Sequence, residues 1–145
     1  VSITYNIFWR GVMNFIEASK AYFVKWNDFK SRSSRSEYWW ATLFVSIASY
    51  PAGFIIGFVI SITLIGAGFP EDTMYTVIAI AILPLQLFIY FASACLVIRR
   101  LHDLNMSGWW WLLIFTIIGI IPVIYWLCKA GDDGDNNYGS NPLKN

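Results

Sequence analysis

Three long stretches of this chain, Tyr38 to Gly68, Met74 to Ile98 and Ser107 to Cys128, contain no charged residue. The hydrocarbon core of a bilayer is about 30 Å thick, and about 20 apolar residues cross it as a helix at roughly 1.5 Å per residue. Each stretch reaches that length. Lipid offers no hydrogen-bonding partner to a backbone N–H or C=O, so a segment in it must satisfy its own backbone as a helix. The pattern predicts an all-α membrane protein with three transmembrane helices, at about residues 38–65, 74–98 and 109–128.

Composition leads to the same class. Charged residues make up 13% and hydrophobic ones 57%, against about 25% charged in an ordinary soluble domain. Too little charge is present to coat a water-facing globule. The spans take about half of the 145 residues, so a single membrane domain over 1–145 is expected, with no separate soluble module. The net charge of +1 gives no support for a nucleic-acid partner.

Ahead of the first span, Phe8, Val12, Phe15, Ile16, Ser19, Phe23 and Trp26 recur at three- and four-residue spacing. Arg10, Asn14, Glu17, Lys25 and Asn27 fall largely elsewhere on the wheel, which predicts an amphipathic helix over residues 3–27 lying in the headgroup plane. The charges along it interrupt the apolar core that a cleavable signal needs. A polar break from Asn27 to Ser36 follows, and Tyr38, Trp39 and Trp40 then mark the membrane boundary. The loop from Gly66 to Thr73 carries Glu71 and Asp72 and no basic residue. Residues 129–145, rich in Asp, Asn and Gly, read as a polar flexible tail.

With three spans, Arg10, Lys20, Lys25, Lys30, Arg32, Arg35, Arg99 and Arg100 share one side, and only Lys129 and Lys144 lie on the other. The positive-inside rule then predicts a cytoplasmic N-terminus and a periplasmic C-terminus. Antiparallel spans would also hold Cys95 and Cys128 near opposite surfaces, too far apart for a disulfide.

Two sets of residues stand out. Ser49, Gly53, Gly57 and Ser61 recur every fourth residue, a small-residue face that lets another helix approach closely, whether within the chain or in a second copy. Arg32, Arg35, Glu37, Arg99, Arg100, His102 and Asp103 gather at the predicted cytoplasmic surface. Guanidinium groups bind phosphate and carboxylate oxygens in bidentate fashion, so this cluster is a candidate site for anionic lipid or an acidic protein partner. Local ion pairing at helix ends would use the same residues. Pro51, Pro84 and Pro122 are candidate kinks.

Reaction chemistry is harder to find. His102, Asp103 and Ser107 lie too close in sequence to converge as a serine triad. Asp133, Asp135 and Asn137 imitate the start of a calcium loop, but Tyr138 and Lys144 replace its glycine and glutamate. Asn105-Met106-Ser107 matches a glycosylation sequon but abuts a span. No Asp, Glu, Lys, Arg or His lies within the spans, where Gln86 is the most polar group, so an ion relay lacks its usual residues. No catalytic residue, metal site or cofactor is expected.

Asp28-Phe29-Lys30-Ser31-Arg32-Ser33-Ser34-Arg35-Ser36-Glu37-Tyr38-Trp39-Trp40, then Arg99-Arg100-Leu101-His102-Asp103 with Ser107-Gly108-Trp109-Trp110, then Asn137-Tyr138-Gly139-Ser140-Asn141-Pro142 resemble the three signatures of the domain of unknown function 805 family. The resemblance implies a small helical protein of the bacterial inner membrane, and the family carries no assigned activity. Ser31 stands where the family pattern usually has glycine. The expected role is an accessory or scaffold protein contacting membrane lipids or a protein partner through the Arg and His cluster. The alternative is a transporter or channel component, oligomeric through the small-residue face, with Thr63, Gln86 and Thr116 lining a polar cavity.

Overall fold

A computed structural model describes residues 12–144, and all regular structure among them is helical. The first helix, α1, spans Phe15–Val24 and starts at a capping box. The Asn14 side chain accepts from the Glu17 N–H at 2.9 Å, and the Glu17 carboxylate accepts from the Asn14 N–H at 3.0 Å, satisfying two of the N–H groups a helix start leaves unpaired. Phe8 and Arg10, at the start of the predicted amphipathic stripe, lie outside the described residues.

Two 32-residue helices dominate: α2, Arg35–Gly66, and α3, Glu71–His102, each roughly 48 Å long at 1.5 Å per residue. Both exceed the uncharged stretches by about a turn at each polar end, because charged residues extend the helices beyond the apolar part. Both continue through their prolines, Pro51 and Pro84. A Schellman motif ends α2: Gly68 sits at φ 76°, its N–H donates to the Ile65 carbonyl at 3.0 Å, and the Phe69 N–H donates to the Leu64 carbonyl at 3.1 Å. Pro70 then starts α3, with Glu71 and Asp72 in its first turn, where the positive end of the helix dipole favours them. The long helices thus form an antiparallel hairpin.

Beneath the polar end of that hairpin, α1 crosses from α2 to α3. Phe15 meets Trp40 and Phe44, Phe23 stacks on Phe88, and the Tyr22 hydroxyl lies 3.1 Å from the Ile89 carbonyl. The core sits here, built from Ala18, Tyr22, Tyr38, Ala41, Ala92, Leu96, Val123 and Leu127. Much of the rest of α2 and α3 presents apolar side chains outward, including Tyr50, Phe54, Ile80 and Leu83.

The third uncharged stretch departs from the expected single helix at 109–128. It forms a 3-10 helix, Gly108–Phe115, and a separate helix α4, Ile117–Cys128, joined at Thr116. The break is built in: the Thr116 hydroxyl donates to the Leu113 carbonyl at 2.9 Å and accepts from the Gly119 N–H at 3.0 Å. A Cβ on Gly119 would collide with the Leu113 carbonyl, so the sharp turn requires glycine. The two legs pack on each other, with the Trp110 and Trp126 rings 5.8 Å apart. Their lengths match, roughly 16 Å for eight 3-10 residues and roughly 18 Å for twelve α residues.

The hairpin therefore begins and ends at the polar end of α3. Gly108 lies beside Ile98 and His102, while the carbonyls of Leu127 and Lys129 accept from Arg100. This corrects the expectation that Arg99 and Lys129 lie at opposite ends of the fold. The segment expected as a flexible tail is hydrogen-bonded at the same end, where Arg32 donates to the carbonyls of Asp132 and Gly134 and Asn141 to that of Asp133.

Candidate functional site

The seven residues singled out at the helix ends do converge, but inward. Arg32, Glu37, Arg99, Arg100, His102 and Asp103 are only 4%, 1%, 1%, 0%, 6% and 4% exposed. Arg35 alone of the set faces solvent. Local sequence puts them there. Ser34 caps α2 by accepting from the Glu37 N–H at 3.2 Å, which turns Glu37 into the first helical turn. At the other end, Asn105 takes φ 55° and the Met106 N–H donates to the Leu101 carbonyl at 3.0 Å, so the chain reverses just after Asp103.

Asp103 is the hub. Arg32 reaches its Oδ1 at 2.9 Å from Nη2 and 3.1 Å from Nε, and Arg100 reaches its Oδ2 at 2.5 Å. Burial pushes the carboxyl of Asp103 up, and the two guanidinium groups pull it back. The same arginines hold the tail. Arg32 Nη1 donates to the carbonyls of Gly134 at 2.7 Å and Gly139 at 3.1 Å, and Nη2 to that of Asp132 at 2.9 Å. Arg100 donates to the carbonyls of Leu127 and Lys129. The Asp132 N–H donates to the Asp103 carbonyl at 2.9 Å, and Asn136 Nδ2 donates to the His102 carbonyl at 2.9 Å. A Cβ on Gly131 would overlap the Asp103 carboxylate, so glycine is what lets the tail approach.

A second ion pair lies beside the first. Arg99 Nη2 sits 3.3 Å from Glu37 Oε1, and Lys25 Nζ lies 3.8 Å from Glu37 Oε2. The pair fastens α3 to α2, assisted by the Ser33 N–H, which donates to the Arg99 carbonyl at 3.0 Å. His102 stacks on Tyr138, with ring centroids 3.8 Å apart and planes 6° apart, and its Nδ1 lies 3.4 Å from the Ser31 carbonyl oxygen.

Such an arrangement locks the tail to the helix ends. Most of the Arg32 and Arg100 donors are spent on Asp103 and tail carbonyls, and both side chains are removed from solvent. Of the seven residues expected to contact lipid or a partner, all but Arg35 are thus buried against the protein's own chain. The sequence reading missed the partners, the carbonyls of Asp132, Gly134 and Gly139 with Asn136 and Asn141. Only the third signature, Asn137 to Pro142, marked that segment, and its Gly and Asn content reads locally as mobile turn. Ser31 suits its turn, since its N–H and hydroxyl donate to Asp28 at 3.1 Å and 2.5 Å without a positive φ.

The small-residue face packs partly within the chain. A Cβ on Gly57 would stand 3.8 Å from Ile78 of α3, whereas Gly53 faces open space. The Ser61 hydroxyl donates to the Gly57 carbonyl at 2.8 Å, and that of Ser49 to Ser46 at 3.4 Å. Thr63 and Thr116 likewise spend their hydroxyls on their own segments.

Fold and cluster together define an integral membrane protein built on two long apolar helices and a shorter apolar one. Residues 26–140 match the model of the family described as protein of unknown function (DUF805), and the chain belongs to that family. It is 33% identical over 117 residues to the inner membrane protein YhaI of Escherichia coli K12, covering 79% of this chain and 85% of that one. Over 45 residues it is 44% identical to the inner membrane protein YhaH of the same strain, covering 30% of this chain and 37% of that one. No solved structure matches the chain. Its activity is unassigned.

Proposed function

We propose that this is an accessory or scaffold protein of a bacterial inner membrane that crosses the bilayer twice and holds anionic lipid headgroups at its cytoplasmic face. In this reading α2 and α3 are the two crossings. The hairpin of the 3-10 helix and α4, with legs roughly half the 30 Å hydrocarbon thickness, dips in from one side and returns. Both chain ends then share that side. The orientation follows from charge: residues 67–70 and the adjoining helix ends contain no Lys or Arg, while every basic residue among the described ones lies in the terminal turn at, or beyond, the opposite ends of α2 and α3. Helix α1, crossing near Trp39 and Trp40, lies along the boundary between headgroups and tails.

The observation that carries the functional part is a division among the basic residues. Arg32 and Arg100 are consumed by the lock and Arg99 is buried against Glu37, whereas Lys20, Lys30, Arg35 and Lys129 stay exposed around it. Arg35 stands beside Trp39 at the edge of a cavity of about 490 Å³, where a headgroup phosphate would meet it. Each exposed basic residue at an anionic surface is worth about 1 kcal/mol. The test is native mass spectrometry of protein extracted from phosphatidylglycerol-containing membrane. Replacing Lys20, Lys30, Arg35 and Lys129 by Gln should strip retained anionic lipid while the fold persists; undiminished retention would overturn the proposal.

A further inference from the structure

A second cavity, of about 860 Å³, runs along α3 from Leu87 to His102 and is walled on its other side by Trp109 and Trp111 of the 3-10 helix. That run of 15 residues is roughly 22 Å long at 1.5 Å per residue. Its far end is open, since Leu87 and Tyr90 are exposed on a surface that faces acyl chains in a bilayer. Its near end is closed by His102, Ser107 and Tyr138. Among the described residues no Lys, Arg, Asp or Glu lines it, which separates it from the charged lock.

His102 gives this closed end its chemistry. The Ser31 carbonyl near Nδ1 can only accept a hydrogen bond, so Nδ1 carries the proton. In a neutral imidazole with Nδ1 donating, the other ring nitrogen has only a lone pair to offer. Nε2 is therefore an acceptor, and it is directed toward Gly108 on the cavity wall, where a Cβ would stand 3.3 Å from it. The hydrogen bond to Ser31 uses the other ring nitrogen, and His102 lines the cavity. Next to it, the Ser107 hydroxyl accepts a long hydrogen bond from the Trp109 N–H at 3.4 Å and keeps its own proton to donate.

We infer that this cavity is a binding site for a neutral glycerolipid of the diacylglycerol type. One acyl chain lies along Leu87, Phe91, Ala94 and Ile98, the free headgroup hydroxyl donates to His102 Nε2, and an ester carbonyl accepts from Ser107. The occupant is a lipid because the open end meets the bilayer. It is uncharged because the closed end offers one acceptor and one donor and no counter-ion for a phosphate. The ring of Tyr138, stacked on His102, fixes the acceptor's direction and ties the site to the locked tail.

Trp109 and Trp111 report occupancy directly. Full-length protein in detergent, titrated with diacylglycerol brominated in mid-chain, should show saturable quenching of tryptophan fluorescence. Ala94→Phe, on the cavity wall, should abolish that saturation. The same lipid with its hydroxyl methylated should bind about fivefold more weakly, the effect of one net hydrogen bond, and quenching by brominated phosphatidylglycerol, which the proposed function places beside Trp39, should be unaffected by Ala94→Phe. Equal binding of the methylated and free-hydroxyl lipids would overturn the assignment of the headgroup, because that comparison needs no mutant to fold. Saturable diacylglycerol quenching unaffected by Ala94→Phe would overturn the site itself. The anionic-lipid proposal is independent of these outcomes, since its residues do not line this cavity.

Discussion

The strongest constraint at the level of single residues is the burial of six ionisable side chains at one end of an apolar hairpin. Removing one member of a buried pair leaves its partner charged, dry and unmatched, which costs about 3–5 kcal/mol. Arg32→Met should therefore lower thermal stability in detergent far more than Arg35→Met, and should also expose residues 132–141 to protease. Equal effects of the two substitutions would remove Arg32 from the lock. Asp28 has a milder role. Partial burial pushes its carboxyl up, but hydrogen bonds from the Ser31 hydroxyl and from the N–H groups of Lys30 and Ser31, with Arg99 nearby, outweigh this and hold it below the usual carboxylate range. Its stabilising contribution is complete above the unfolded value of about 3.9 and is lost as pH falls through the lower folded value. Acid unfolding of Asp28→Asn should accordingly show a shallower loss of stability below about pH 4 than the parent, with circular dichroism as the readout. At this scale the sequence showed which residues gather, because arginines flank both apolar stretches. It did not show what they bind, because the partners are mostly backbone carbonyls, which no side-chain pattern reveals.

Among the elements, α2 and α3 were legible almost throughout. Uncharged runs of 25 residues or more leave the backbone few options other than helix. The misread element is the third stretch. Its apolar composition fits a span as well as it fits a hairpin, and the difference rests on Thr116 and Gly119, two small residues whose geometry matters more than their hydropathy. Gly119→Ala places a Cβ against the Leu113 carbonyl and should open the hairpin, seen as loss of the Trp110–Trp126 contact in tryptophan emission. Gly68→Ala instead strains only the φ 76° cap of α2 and should cost about 1 kcal/mol in detergent unfolding, leaving that emission unchanged. If both variants alter the emission alike, the turn at Gly119 has no special place in the hairpin. The tail was misread for a related reason. Asp, Asn and Gly favour turns whether or not anything holds them, and here Arg32 and Arg100 hold them.

For the whole molecule, the decisive quantity is the number of crossings. An odd number would divide the basic residues between the two surfaces, while two crossings collect all ten on one side. The charge count was available from the sequence, where three spans give eight and two; the turn at Thr116 and Gly119, which lets the proposed hairpin return, was invisible there. The most direct measurement is sidedness labelling in intact spheroplasts. Single cysteines are placed at Arg35, Glu71 and Lys129 in a background with Cys95→Ala and Cys128→Ala, and an impermeant maleimide is applied from outside. The two-crossing architecture predicts that Glu71→Cys is labelled, while Arg35→Cys and Lys129→Cys react only after the membrane is opened. Labelling of Lys129→Cys together with Glu71→Cys would contradict it, returning the third stretch to a full crossing.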